Sequence, residues 1–160
     1  MPIRFLSLVY ADKQQRDLAV AEGERAIVLD PNNADSYAYQ AEALIIAGRP
    51  EEAVRRVEQA MRLNPRYPSF YLNELGLAYL LTGRYAEAVA TLKEAISRSP
   101  NLLAAYANLA RSYWMQWASQ LSPDSQTLAL AFEATQRVIA LNESSPWGHA
   151  ILGYVYLWQK

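Results

Sequence analysis

The sequence predicts an all-α protein, a right-handed α-solenoid of antiparallel helix hairpins, and two observations support this fold class. The first is a fixed period: Pro31, Pro65 and Pro100 each follow a helical run, at spacings of 34 and 35 residues. The second is that each period contains two runs of apolar residues at helical spacing, separated by turn signals such as AlaGlyArgPro at 47–50. A constant period of this length indicates stacked copies of one two-helix unit.

The 160 residues are expected to form a single domain, because no linker divides the chain into compositional halves. Small residues recur in step with the prolines, as Ala53 and Ala88 do in two successive second helices. The units are predicted at about 1–33, 34–68, 69–102 and 103–145, followed by a lone final helix at 146–160.

The fourth unit carries a nine-residue insertion between its two helices, and we expect both helices to be lengthened. Ser122 followed by Pro123 is typical of the N-cap and first turn of a helix. Two interpretations of the insertion stay open. It forms a longer hairpin in which Trp117, Leu121 and Leu128 pack on one another, or it forms a protrusion that binds a partner.

The third unit has Leu75, Gly76 and Tyr79 in its first helix and Ala88 and Pro100 in and after its second. This pattern resembles the tetratricopeptide repeat, and the resemblance extends over almost the whole chain. It implies a scaffold for protein–protein interaction that needs no cofactor. Glycines within first helices suggest close helix approach. The sequence departs from the repeat pattern at Gly23, Gln40, Thr135 and Glu143.

The resemblance also implies that the first helices line a concave groove. The matching positions are mainly apolar and aromatic, which favours a protein or peptide segment that is apolar or amphipathic, such as a helix. The alternative is that several of them belong to the core between helices. The predicted groove residues are Ile45, Ile46, Phe70, Asn73, Leu77, Leu81, Arg111, Trp114, Met115, Trp147, Tyr154 and Trp158.

Some family members hold an acidic chaperone tail with a clamp of Lys, Asn and Arg side chains. The corresponding places here include Leu8, Ala38, Glu42 and Ala104, so we do not expect that clamp.

Composition argues against most other classes of function. A net charge of −1 disfavours nucleic acid as a partner, and the single histidine, His149, and the absence of cysteine leave no metal or catalytic constellation. We therefore predict no enzyme activity, no cofactor and no metal.

No apolar run is long enough for a membrane span, and we expect a cytoplasmic protein. Glu51, Glu52, Arg55, Arg56 and Glu58 are interpreted as charge pairs on a solvated outer face.

Two other hypotheses stay open. Segments such as AlaMetArgLeuAsnPro look like repeat arrays found after bacterial class III nucleotide cyclase domains, which implies a regulatory or assembly segment of a larger bacterial signalling enzyme. The final helix is apolar and lacks a polar cap, so we expect either that the natural chain continues beyond Lys160 or that the helix docks on another molecule. Self-association would then use Tyr154, Leu157 and Trp158.

Overall fold

A computed structural model describes residues 13–119 and 124–158 of the chain. This part of the chain is α-helical apart from short connections, which confirms the all-α class. Residues 1–12, most of the first predicted helix, lie outside it. The helices are α1 (Lys13–Leu29), α2 (Ala34–Ile46), α3 (Pro50–Leu63), α4 (Ser69–Leu81), α5 (Tyr85–Arg98), α6 (Leu103–Ser119), α7 (Ser125–Leu141) and α8 (Pro146–Trp158).

The turns inside the second and third units are built alike. Gly48 and Gly83 have φ of 76° and 77°, a left-handed conformation that glycine adopts without steric cost. The chain then reverses, and the amide of Arg49 donates to the carbonyl of Leu44 at 2.8 Å. These glycines fix the angle at which each second helix returns along its first.

The stacking of the units separates an inner from an outer face. Each helix packs on its neighbours in sequence, and the first helices α2, α4, α6 and α8 also contact one another in succession. The described second helices α1, α3, α5 and α7 make no such contacts among themselves. The first helices therefore lie closer together and form the inner side of the curve.

Gly76 shows why a first helix needs a small residue at its centre. A Cβ atom added to Gly76 would lie 2.5 Å from Cγ of Leu92 on α5, and Leu92 is fully buried. The Leu92 side chain thus occupies the space that any other residue at position 76 would need. The expected close approach of the two helices is confirmed here, because the Leu92 side chain of α5 packs directly on Gly76 of α4.

Two of the departures from the repeat pattern compensate for each other. Gln40 is only 1% exposed, and a Cβ on Gly23 would lie 3.0 Å from its Cγ atom. The long Gln40 side chain therefore fills the space left by the missing side chain of Gly23. Both its Nε2 and Oε1 atoms are buried without a hydrogen-bond partner, so this packing stabilises less than an apolar pair would.

The helices of the fourth unit, α6 and α7, have 17 residues each, against 13 and 14 for α4 and α5. The prediction that Ser122 caps the second helix is wrong. Asp124 is the N-cap, because its carboxylate accepts from the Thr127 amide at 2.7 Å and from the Thr127 hydroxyl at 2.8 Å. Trp117 packs on Trp114, with ring centroids 5.2 Å apart, and Leu128 is buried. Leu121 lies outside the described residues.

Candidate functional site

An apolar depression opens on the inner face where α4, α6 and α8 converge, and we call it the aromatic pocket. Its volume is about 290 Å³. First-helix residues form most of its wall, and Tyr85 at the start of α5 closes one side. The lining residues are Leu80, Leu81, Tyr85, Arg111, Trp114, Met115, Ala150, Ile151 and Tyr154.

The rim of the aromatic pocket leaves large apolar side chains open to solvent. Leu81 is 44% exposed, Met115 39% and Tyr154 55%. The rings of Trp114 and Tyr154 stack with centroids 5.8 Å apart, which joins α6 to α8 across the pocket. Trp117 also packs on Trp114, so the Trp114 ring is in contact with aromatic side chains on two sides.

A second, more polar cavity of about 430 Å³ lies beside the aromatic pocket, lined by Leu102, Leu103, Ala104, Ala107, Asn108, Arg111 and Ser145. Arg111 lines both cavities, and burial lowers the pKa of its guanidinium group. At the wall of this second cavity, Nδ2 of Asn108 donates to Oδ1 of Asn73 at 3.2 Å, and Nδ2 of Asn73 donates to Glu74 at 3.1 Å. The inner face thus places hydrogen-bonding groups next to an apolar pocket.

Five of the predicted groove residues meet in the aromatic pocket: Leu81, Arg111, Trp114, Met115 and Tyr154. None of the others whose side chains are described lines it. Ile45, Phe70 and Leu77 are partly buried and pack against the core, as the alternative interpretation expected. Ile46 is half-buried at the end of α2, and Asn73 is buried. Trp147 and Trp158 belong to α8, but their side chains lie outside the described part of the structure.

The sequence prediction missed two kinds of residue. Tyr85 was not considered because it belongs to a second helix, yet as the first residue of α5 it reaches the pocket edge. Asn108 was not considered either. A signal was available for it, since Asn73 and Asn108 stand 35 residues apart, one repeat, and buried polar residues need partners.

The described residues contain neither a candidate metal site nor a candidate membrane-spanning helix. No group of three or more His, Asp or Glu side chains there is placed to hold a metal ion. Ring atom Nε2 of the exposed His149 lies 2.8 Å from the carbonyl of Glu143, a contact that ties the start of α8 to the preceding turn. None of the described helices combines the length and apolar character that crossing a membrane requires.

Comparison with known proteins gives the family. The family model described as "Tetratricopeptide repeat" matches residues 39–102 and 73–146, which together cover more than half of the chain. The chain belongs to the tetratricopeptide repeat family. No curated protein matches it significantly.

Solved tetratricopeptide repeat structures have the same fold at low sequence identity. A crystal structure of MamA has 19% identity and a TM-score of 0.72, with 91% of this chain and 79% of that chain covered. The thermophilic protein TTC0263 of Thermus thermophilus has 21% identity and a TM-score of 0.70, with 78% and 64% covered.

A third similar structure contains a ligand. The second such domain of human RPAP3, in complex with the HSP70 peptide SGPTIEEVD, has 16% identity and a TM-score of 0.65, with 78% of this chain and 95% of that chain covered. These neighbours bear on the repeat fold and not on the cyclase-associated alternative, which stays a prediction.

Proposed function

We propose that this tetratricopeptide repeat protein is a scaffold that binds an apolar or amphipathic segment of a partner protein on its inner face, with the aromatic pocket as the anchor site. The observation that supports this most is the convergence of Leu81, Trp114, Met115 and Tyr154, from three successive first helices, on one open apolar pocket. Aromatic side chains held in place on both sides are typical of binding hot spots.

The size of the pocket favours a side-chain anchor. At about 290 Å³ it lies at the lower edge of the range of roughly 300–1,000 Å³ for small-molecule sites, and it is widely open. One or two bulky apolar side chains of a longer segment fit such a depression. The rest of the segment would lie along the first helices, past the more polar cavity that Asn108 and Arg111 line.

The RPAP3 complex gives a precedent for peptide binding in this fold, but this chain differs in the expected ligand. The peptide printed for that structure, SGPTIEEVD, ends in acidic residues. Here Ala38, Glu42 and Ala104 stand where a cationic clamp would be needed. We therefore propose an apolar rather than an acidic tail as the ligand of the inner face.

Selection of random twelve-residue peptides on phage, with the purified protein as bait, tests the proposal. We expect the enriched peptides to share two bulky apolar residues three or four positions apart, as an amphipathic helix presents them. The best peptide is then synthesised and its affinity measured by isothermal titration. Tyr154→Ala should weaken its binding by about 2 kcal/mol, or roughly thirtyfold, as loss of a hot-spot aromatic does.

Tyr106→Ala is the matched control, because Tyr106 is an aromatic residue of α6 that lies under Arg137 of α7, away from the pocket. It should leave the affinity unchanged. If Tyr154→Ala and Trp114→Ala both bind the selected peptide as tightly as the wild type, with unchanged circular dichroism, the pocket is not the binding site.

The side chains of α8 favour a second candidate, self-association. Tyr156 is 55% exposed and Leu157 70%, and both lie on the same helix as Tyr154. A second copy that used these side chains would compete with a peptide for the pocket. Sedimentation equilibrium at several concentrations tests this. A dimer that Leu157→Glu dissociates supports it, and a monomer at all concentrations excludes it.

A further inference from the structure

The outer face carries a basic cavity that the proposed function does not use. It is about 440 Å³ in volume and follows one side of α3, with Tyr37 of α2 as its other wall. Tyr37 is fixed there by a 3.0 Å hydrogen bond from its hydroxyl to the carbonyl of Pro31. We call it the arginine cavity, and its lining residues are Tyr37, Glu52, Arg55, Arg56, Gln59 and Arg62.

Arg55, Arg56 and Arg62 of this cavity form no ion pair with a described carboxylate. The pKa of Glu52 is lowered first by its hydrogen bonds from Arg49 and more weakly by the charges of Arg55 and Arg56, so the interpretation of this surface as charge pairs holds only for that longer-range attraction. Glu52 receives two hydrogen bonds from Arg49, at 2.5 and 2.7 Å. Ion pairs among the described residues include Arg25–Glu22, Arg49–Glu52, Arg84–Glu87 and Arg98–Glu94. Arg55, Arg56 and Arg62 thus lie in one cavity without a described carboxylate within ion-pair distance.

Two further carboxylates on α3 lie to the side of the arginine cavity. Neither Glu51 nor Glu58 lines it. The charge of Glu58 acts instead on Tyr79 and Arg84, towards the third unit. The guanidinium of Arg62 is oriented by Gln59, whose Oε1 accepts from its Nε and Nη2 at 3.1 and 2.7 Å. The cavity therefore presents positive charge in a partly ordered arrangement.

The repeat itself shows that the fold does not need these arginines. The third unit follows the second at a spacing of 35 residues, as Ala53 and Ala88 do, and both alanines are fully buried. If the repeat fold required these arginines, arginine would recur 35 residues later, in the third unit. The positions on α5 that correspond to Arg55, Arg56 and Arg62 are Ala90, Thr91 and Ser97.

We propose that the arginine cavity is a second binding surface, specific for an acidic segment of a protein. Arginine binds carboxylates through paired hydrogen bonds in a fixed plane. Arg55 and Arg62 are seven residues apart on α3, which at about 1.5 Å per residue is roughly 10 Å. Carboxylates three residues apart on a segment in the polyproline II conformation, which rises about 3.1 Å per residue with three residues per turn, lie on one face about 9 Å apart. A segment with Glu or Asp at every third position matches the two arginines.

A nucleic acid fits this surface less well. Glu51 and Glu58 flank the arginines on the same helix, and they would repel a polyanion that continues beyond the cavity. A protein segment carries negative charge only at its Glu and Asp residues, so the neutral residues between and beyond them are not repelled by Glu51 and Glu58.

Fluorescence anisotropy with the full chain and three labelled probes tests the proposal. The probes are the nine-residue peptide GluSerGlyGluSerGlyGluSerGly, the same peptide with Gln for Glu, and a ten-nucleotide single-stranded oligothymidine. Wild type should bind the Glu peptide and not the Gln peptide, with affinity that falls as salt is raised. Arg55→Gln combined with Arg56→Gln should weaken binding about tenfold.

The matched control removes two arginines from other second helices, Arg25→Gln with Arg137→Gln, and should leave the affinity within about twofold of wild type, as remote charges are screened. Trp114→Ala should also leave it unchanged, which separates this surface from the aromatic pocket. The site is overturned if wild type does not bind the Glu peptide or if both double variants behave alike. Tighter arginine-dependent binding of the oligonucleotide would overturn the choice of ligand.

Discussion

The hairpin of α4 and α5 and the final helix α8 carry the same short motif in different surroundings. Both first helices contain Leu, Gly and Tyr in the same spacing, at 75, 76 and 79 and at 152, 153 and 156. In α4, a Cβ on Gly76 would lie 2.5 Å from Cγ of Leu92. In α8, no described atom lies within 4 Å of such a Cβ on Gly153.

The difference shows that the Leu, Gly and Tyr motif specifies only the first-helix side of a contact between two helices. The small residue is needed only where a second helix lies over it, because the large residue that fills the gap belongs to that helix. In the hairpin Tyr79 is partly buried under the guanidinium of Arg84, 4.2 Å from its ring centroid. Tyr156 of α8 is mostly exposed. Substitutions at matched positions should therefore have different effects in the two regions.

The largest expected effect is that of Leu92→Ala. Leu92 is fully buried against Gly76, so its truncation leaves a cavity and should lower the free energy of unfolding by about 3 kcal/mol. Leu157→Ala is the matched control, since this leucine of α8 is exposed and its loss should change stability by less than about 0.5 kcal/mol. Urea denaturation followed by circular dichroism measures both. Equal losses would mean that the two regions are packed alike.

Gly76→Ala should have the next largest effect, a loss of about 1–2 kcal/mol. Overpacking costs roughly 1–3 kcal/mol, and the better helix propensity of alanine returns up to about 1 kcal/mol. In the Leu92→Ala background the same change should be neutral or stabilising, because the new methyl group enters the space that Leu92 vacated. Additive losses in the double variant would contradict the direct contact.

Gly153→Ala should have the smallest effect and the opposite sign. With nothing described within 4 Å of the added methyl group, only helix propensity changes, and we expect a gain of up to about 1 kcal/mol. Hydrogen exchange of the α8 amides reports this gain locally. Slower exchange supports the comparison, whereas faster exchange would indicate that another surface covers Gly153.

The fold could be predicted because its signals are local and repeated. The period of Pro31, Pro65 and Pro100 and the glycines of the turns depend on backbone geometry alone, which sequence spacing reports. The compensation between Gly23 and Gln40 could not be predicted, because each residue taken alone is only a departure from the pattern. The structure explains both departures, because the Gln40 side chain occupies the space beside Gly23.

The candidate site could be predicted only in part. Periodicity places Trp114, Met115 and Tyr154 on first helices, but it does not decide whether a first-helix residue faces the groove or the core, as Leu77 shows. The lateral packing of three helices decides that. The role of Tyr85 also depends on tertiary structure, since it reaches the pocket from a second helix.

Chemical-shift mapping with an apolar peptide selected on this protein identifies which face of the stack binds the peptide. We expect the largest amide shifts around the aromatic pocket, at the end of α4, in the second half of α6 and along α8. Shifts confined to the outer helices α3, α5 and α7, with the pocket amides unchanged, would contradict this expectation.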